Sequence, residues 1–152
     1  MQLITDMTTL KIGDNIILLS HGDTFCTLDV GYQKMKRILQ NPVVMFILRR
    51  IPLRLRYKLK ESLESKSHAT TNSRPEHHYM VVNESILDYA EQANATIIIH
   101  GHTHRPGYYS LMSKNATLIH RYEIPDWQDH APGGYIELNN NQISIIASSN
   151  KA

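Results

Sequence analysis

The stretch His100-Gly101-His102-Thr103-His104, continued by Arg105-Pro106, constrains this chain more than any other feature. Just before it, Thr96-Ile97-Ile98-Ile99 is a β-branched run bounded by Asn94 and Gly101, which reads as a buried strand. The histidines therefore stand where a strand ends and the chain turns, the place where open α/β sheets hold ligands. If the extension persists, alternate residues share one side, and His100, His102 and His104 face the same way. Gly101 permits a backbone conformation closed to residues with side chains. Clustered imidazoles are borderline-soft ligands suited to zinc, manganese or iron.

A second strand delivers a histidine in the same manner. Met7 to Ile12, a turn at Gly13-Asp14, and Asn15 to Ser20 read as a hairpin, and its apolar run Ile16-Ile17-Leu18-Leu19 leads into Ser20-His21-Gly22-Asp23. Two strands with His-Gly at the same end bring their histidines together if they are sheet neighbours. The bottom-up inventory is thus His21, His102 and His104, with His100 as a further candidate. Three protein ligands plus a water is a catalytic arrangement, because a cation-bound water ionises near neutral pH and needs no side-chain nucleophile. No catalytic residue is expected beyond the metal site.

The middle of the chain has a different character. Tyr32 to Gln40 reads as a helix ended by Asn41-Pro42, and Val43 to Arg50 is apolar almost all round. Pro52 suits a first helical position, with Leu55, Leu59 and Leu63 on one face behind it. Lys34 to Lys60 contains nine Lys and Arg residues and no Asp or Glu. A segment so biased favours an anionic partner. Two readings of it stay open: a helical hairpin packed on the core, or an amphipathic cap resting on an anionic membrane or holding a lipid. Ser65 to Pro75 reads as a polar loop, and Asn83 as the N-cap of a helix through Ile86, Leu87 and Ala90 to about Asn94. His77 and His78 have no partner spacing and read as exposed.

Two further hairpins follow, Tyr108–Met112 with Thr117–Glu123, and Gly133–Leu138 with Gln142–Ala147. Trp127 reads as a packing anchor. At 152 residues the chain fits one domain able to bury a core. The longest apolar run, Val43 to Leu48, is too short to span a bilayer, and Met1-Gln2-Leu3 opens no signal peptide. The lone Cys26 excludes an internal disulfide and reads as a small buried residue.

The paired motifs His-Gly-Asp and Gly-His-Thr-His resemble the last two motifs of the calcineurin-like metallophosphoesterases. More narrowly, His21-Gly22-Asp23-Thr24-Phe25-Cys26-Thr27, with Asp29 and Gly31-Tyr32, together with His100 to Pro106, is similar to the UDP-2,3-diacylglucosamine hydrolases of lipid A synthesis. The resemblance runs over nearly the whole chain. It implies a mixed α/β fold, the C-terminal part of a metallophosphoesterase β-sandwich flanked by helices, with residues 1–152 in one domain and a helical lid inserted at about 32–67. It implies hydrolysis of the pyrophosphate bond of UDP-2,3-diacylglucosamine to UMP and 2,3-diacylglucosamine 1-phosphate by a metal-activated water, with two Mn2+ ions.

Carried over by motif, His21 and His102 would bind one metal and His104 the other, with His100 in support. Asp29, Ser67, Asn72, Arg74 and His102 would bind substrate. Where the family carries a lysine this chain has Pro75, and the neighbouring Arg74 would supply the charge. The lid would touch the membrane, giving a cytoplasmic protein peripheral to the inner membrane. The family's opening motifs, Asp-x-His, Gly-Asp and Gly-Asn-(His/Arg)-Asp, are absent. The chain therefore reads as the C-terminal part of such an enzyme, inactive alone, with an N-terminal half as missing partner. A non-catalytic module binding acidic lipid or a nucleotide sugar is the alternative. A nucleic-acid phosphoesterase is disfavoured, because the basic residues alternate with apolar ones unsuited to a phosphate groove.

Overall fold

A computed structural model describes residues 7–71, 80–127, 133–139 and 142–147. Strand β1 (Met7–Ile12) turns at Gly13 into β2 (Asn15–Ser20). A short 3-10 turn at Asp23–Phe25 leads to three helices, α1 (Val30–Leu39), α2 (Pro42–Arg50) and α3 (Leu53–Thr71). Helix α4 (Asn83–Ala93) precedes β3 (Ile97–His100), β4 (Gly107–Met112) and β5 (Leu118–Glu123), and β6 (Gly134–Asn139) pairs with β7 (Gln142–Ala147). The fold is mixed α/β, as the resemblance implies. Five strands form one mixed sheet in the order β1-β2-β3-β5-β4, and β6 with β7 forms a second.

The β-branched and leucine runs sit where the sheet is most buried. β2 and β3 are parallel neighbours, and β5 lies parallel on the far side of β3. Side chains alternate along a strand, so Leu18, Ile98 and Ile119 share one face. Ile86 and Ala90, one helical turn apart on α4, cover that face together with Phe25 and Ala95. Helix α4 ends at Asn94, whose left-handed φ of 50° closes the helix before β3 begins. β1 is at the sheet edge, with Leu10 and Ile12 on one face and both exposed.

The chain divides into two compact units, Met1–Cys26 with Val81–Ala152, and Thr27–Met80. In the first, the Val82 amide donates to the Phe25 carbonyl at 3.0 Å, so the chain returns to the sheet close to where it leaves. In the second, Asp29 caps α1 by accepting from the Tyr32 amide at 3.0 Å, and Asn41 caps α2 ahead of Pro42. No side chain of α1 or α2 is buried. A helix that is apolar almost all round is expected in a core, yet Val43, Phe46 and Ile47 are all more than half exposed. Both readings of the basic segment require an apolar face, and these residues supply one.

Two local expectations are corrected, and the expected hairpin of β4 with β5 is met and extended. α3 continues to Thr71 into the stretch read as loop from Ser65 to Pro75, since residues 65–71 hold no Gly or Pro to stop it. The α4 cap position falls on Val82 rather than Asn83. β5 is more than half of a hairpin: it pairs antiparallel with β4 and parallel with β3.

Candidate metal centre

Because β2 and β3 run parallel in register, with Leu19 opposite Ile99, both strands deliver their histidines to the same end of the sheet. The Gly101 amide donates to the His21 carbonyl at 3.0 Å and locks the two exits together. Gly22 takes φ 112°, and a β-carbon there would lie 2.5 Å from the Gly101 carbonyl oxygen and 2.9 Å from His100 Nδ1. The glycine of the first motif is thus required by the second.

This junction places His21 Nε2 3.3 Å from His102 Nδ1, with the rings edge to face. Two nitrogens about 2.1 Å from a shared cation, near a tetrahedral angle, lie about 3.4 Å apart. The pair therefore suits one divalent cation in donor chemistry and in spacing. His104 does not join it. Its Nδ1 lies 2.8 Å from Asp126 Oδ2. Among the described residues no group of three or more His, Cys, Asp or Glu side chains is close enough to hold a metal. The imidazoles fit a metal in kind and fall short in number.

The expectation that His100, His102 and His104 share a side is not met, because the extension ends at His100. Non-glycine residues then adopt left-handed backbone, His102 at φ 80° and His104 at φ 57°, a strain of about 1–3 kcal/mol each. His100 is buried beneath them with its ring edge-on to Phe25. Burial holds its imidazole below the usual histidine range and Arg121 pushes the same way, against the Gly101 hydrogen bond and Glu123. A neutral ring matches its partners: Nδ1–H donates to the Gly101 carbonyl at 2.8 Å, and Nε2 accepts from Arg121 Nε at 2.8 Å.

Sequence reasoning missed the residues that hold the strained loop. Ile119, Arg121 and Glu123 alternate on β5 and point to the core face. Glu123 is fully buried and accepts on Oε2 from Arg121 Nη2 at 2.8 Å. Its Oε1 accepts from the Thr103 hydroxyl and from the Arg105 amide, the latter at 3.0 Å. One carboxylate thus grips the loop on both sides of His104. The available signal was an Arg and a Glu two apart in an apolar strand, which is how a buried pair is placed on one face.

Of the other expected residues, Cys26 is buried, with its Sγ 3.9 Å from the Gly22 carbonyl. Trp127 lays its ring against Gly133 but is 71% exposed, so it covers backbone rather than anchoring a core. Asp29 lies in the helical unit as the cap of α1. Ser67 falls within α3 instead of a loop. Asn72, Arg74, His77 and His78 lie outside the described residues. Inside the helical unit, Met35, Leu39, Leu48, Leu59 and Leu63 line a cleft of about 330 Å³ edged by Arg56 and Lys60. Among the described residues no helix is long and apolar enough to cross a membrane.

No protein-family model matches the chain. Its sequence is 39% identical over 125 residues to the UDP-2,3-diacylglucosamine hydrolase of Pseudomonas fluorescens strain SBW25, covering 82% of this chain and 50% of that protein. It is 37% identical to the protein of the same name from Pseudomonas putida strain KT2440, over 82% of this chain and 52% of the relative. The enzyme of Pseudomonas fluorescens strain Pf0-1 is 36% identical over 143 residues, 94% of this chain and 56% of the relative. The chain spans about half the length of the curated relatives it matches, and over that span it is similar to proteins named UDP-2,3-diacylglucosamine hydrolase.

Proposed function

We propose that this chain is the C-terminal part of a metal-dependent hydrolase that cleaves the pyrophosphate bond of UDP-2,3-diacylglucosamine to UMP and 2,3-diacylglucosamine 1-phosphate. The observation that carries the reading is the 3.3 Å approach of His21 Nε2 to His102 Nδ1 at the ends of adjacent parallel strands. Two divalent cations, manganese by family resemblance, supply charge stabilisation and an activated water when bound. His21 and His102 serve one cation and His104 the other. The remaining ligands, including an oxygen bridge without which two cations repel, come from an N-terminal half. That half also covers the exposed edge at β1, where Leu10 and Ile12 stand open.

The helical unit is the lipid-handling part. Its cleft is apolar with a basic rim, a fit for acyl chains below an anionic head group. Asp29 contacts the glucosamine ring, and Ser67, Asn72, Arg74 and His102 contact the remainder of the substrate. Exposed Val43, Phe46 and Ile47 beside Arg49 and Arg50 suit a peripheral site on the inner membrane, from the cytoplasmic side.

The alternative, a lipid- or nucleotide-sugar-binding module without catalysis, draws on the absence of a three-ligand cluster among the described residues. An assay of UMP release separates them. In a full-length protein carrying this stretch, His102→Ala or His104→Ala abolishes release with the fold retained. Activity undiminished in both variants removes the metal-ligand assignment.

A further inference from the structure

We propose that Asp126 is a positioning residue for His104, holding its imidazole in the Nδ1–H form and keeping Nε2 as the donor atom for a divalent cation. The inference rests on the metal reading above and deepens it.

The contact itself sets the tautomer. An ionised carboxylate only accepts, so a ring nitrogen 2.8 Å from Asp126 Oδ2 must carry the proton. Nδ1 is then occupied and Nε2 holds the lone pair. Metal-binding histidines are commonly oriented this way by a carboxylate on the other nitrogen.

The backbone that carries the ring is held in place. Glu123 grips the Thr103 hydroxyl and the Arg105 amide, so the backbone is tied on either side of His104. Asp126 is tethered equally well. The Ile124 amide donates to the His100 carbonyl at 2.8 Å, which fixes the chain where it leaves β5. Pro125 is buried so close to Gly134 that a β-carbon there would lie 2.6 Å from its Cγ. On the other side the Trp127 ring lies on Gly133. A carboxylate next to a buried proline can dictate the geometry of a half-exposed imidazole.

The test is long-range 1H–15N correlation NMR of the 15N-histidine-labelled chain at about pH 8, above the usual imidazole range. The His104 signals are identified by their loss in His104→Gln. We expect the Nδ1–H form in the wild type, a switch toward Nε2–H in Asp126→Ala, and retention of Nδ1–H in Asp126→Asn, which keeps an acceptor oxygen. A merely structural Asp126 would leave the tautomer unmoved. Nε2–H in the wild type, or Nδ1–H surviving in Asp126→Ala, would overturn the proposal. In a full-length protein carrying this stretch, manganese should broaden the His104 ring at about tenfold higher concentration in Asp126→Ala than in the wild type; equal concentrations would overturn it too. If the tautomer switch holds while manganese broadens none of His21, His102 and His104, the Asp126 contact stands and the metal reading fails.

Discussion

Gly22 sits against the carbonyl oxygen of Gly101, leaving no room for a β-carbon between the two histidine-bearing turns. Gly22→Ala must accept both a left-handed φ of 112° and that clash. The expected cost is about 2–3 kcal/mol of stability, with the His21–His102 approach disturbed. Chemical denaturation checks the first, and loss of the cross-peak between the two rings checks the second. A fully stable Gly22→Ala chain would show that the turns do not interlock.

Glu123 is the hub of the histidine loop. Glu123→Ala leaves Arg121 buried without its carboxylate and frees the Thr103 hydroxyl and Arg105 amide together. A loss of about 3–5 kcal/mol is expected, with Glu123→Gln milder because it keeps shape and an acceptor. Hydrogen exchange should show the loop from His102 to Arg105 opening in Glu123→Gln before the sheet does. Uniform exchange across the sheet and loop would contradict a local role.

His100 predicts an acid limb in stability. Its folded-state proton affinity is lowered by burial, whereas the unfolded imidazole charges near pH 6.5. Below that pH the unfolded chain takes up a proton that the folded chain refuses, so His100's contribution is full above pH 6.5 and lost as pH falls. The ring resonances of His100 should stay those of a neutral imidazole through pH 6.5. Titration of His100 at the ordinary histidine value would remove this account.

The helical unit should bind anionic vesicles. Replacing Phe46 and Ile47 together by Glu puts charge where exposed apolar area now lies. Co-sedimentation with phosphatidylglycerol vesicles is expected to drop at least about tenfold, with little change in folding, since neither residue is buried. Undiminished binding would move the lipid surface elsewhere.

The strands were legible because period-2 alternation and β-branched runs are local signals. The convergence of His21 and His102 was legible only conditionally: it required β2 and β3 to be neighbours, and pairing order is not a local property. The left-handed backbone at His102 and His104 was hidden, because a buried carboxylate elsewhere in the chain enforces it against local preference. Glu123 and Arg121 read as ordinary polar residues of a hairpin until β5 was placed beside β3. The end of α3 was misread on composition: the Ser, Thr, Asn and Pro clustered over 65–75 suggest a loop, but the Ser and Thr up to Thr71 cannot break a helix.

The central claim is that this chain carries a share of a metal centre, assembled from His21, His102 and His104 and completed by other residues. Calorimetric titration of the isolated chain with manganese, paired with a UMP-release assay on UDP-2,3-diacylglucosamine, tests it most directly. The account predicts at most one weak site, lost in His102→Ala, with little or no UMP released. Two tight sites with full turnover by the isolated chain would contradict it.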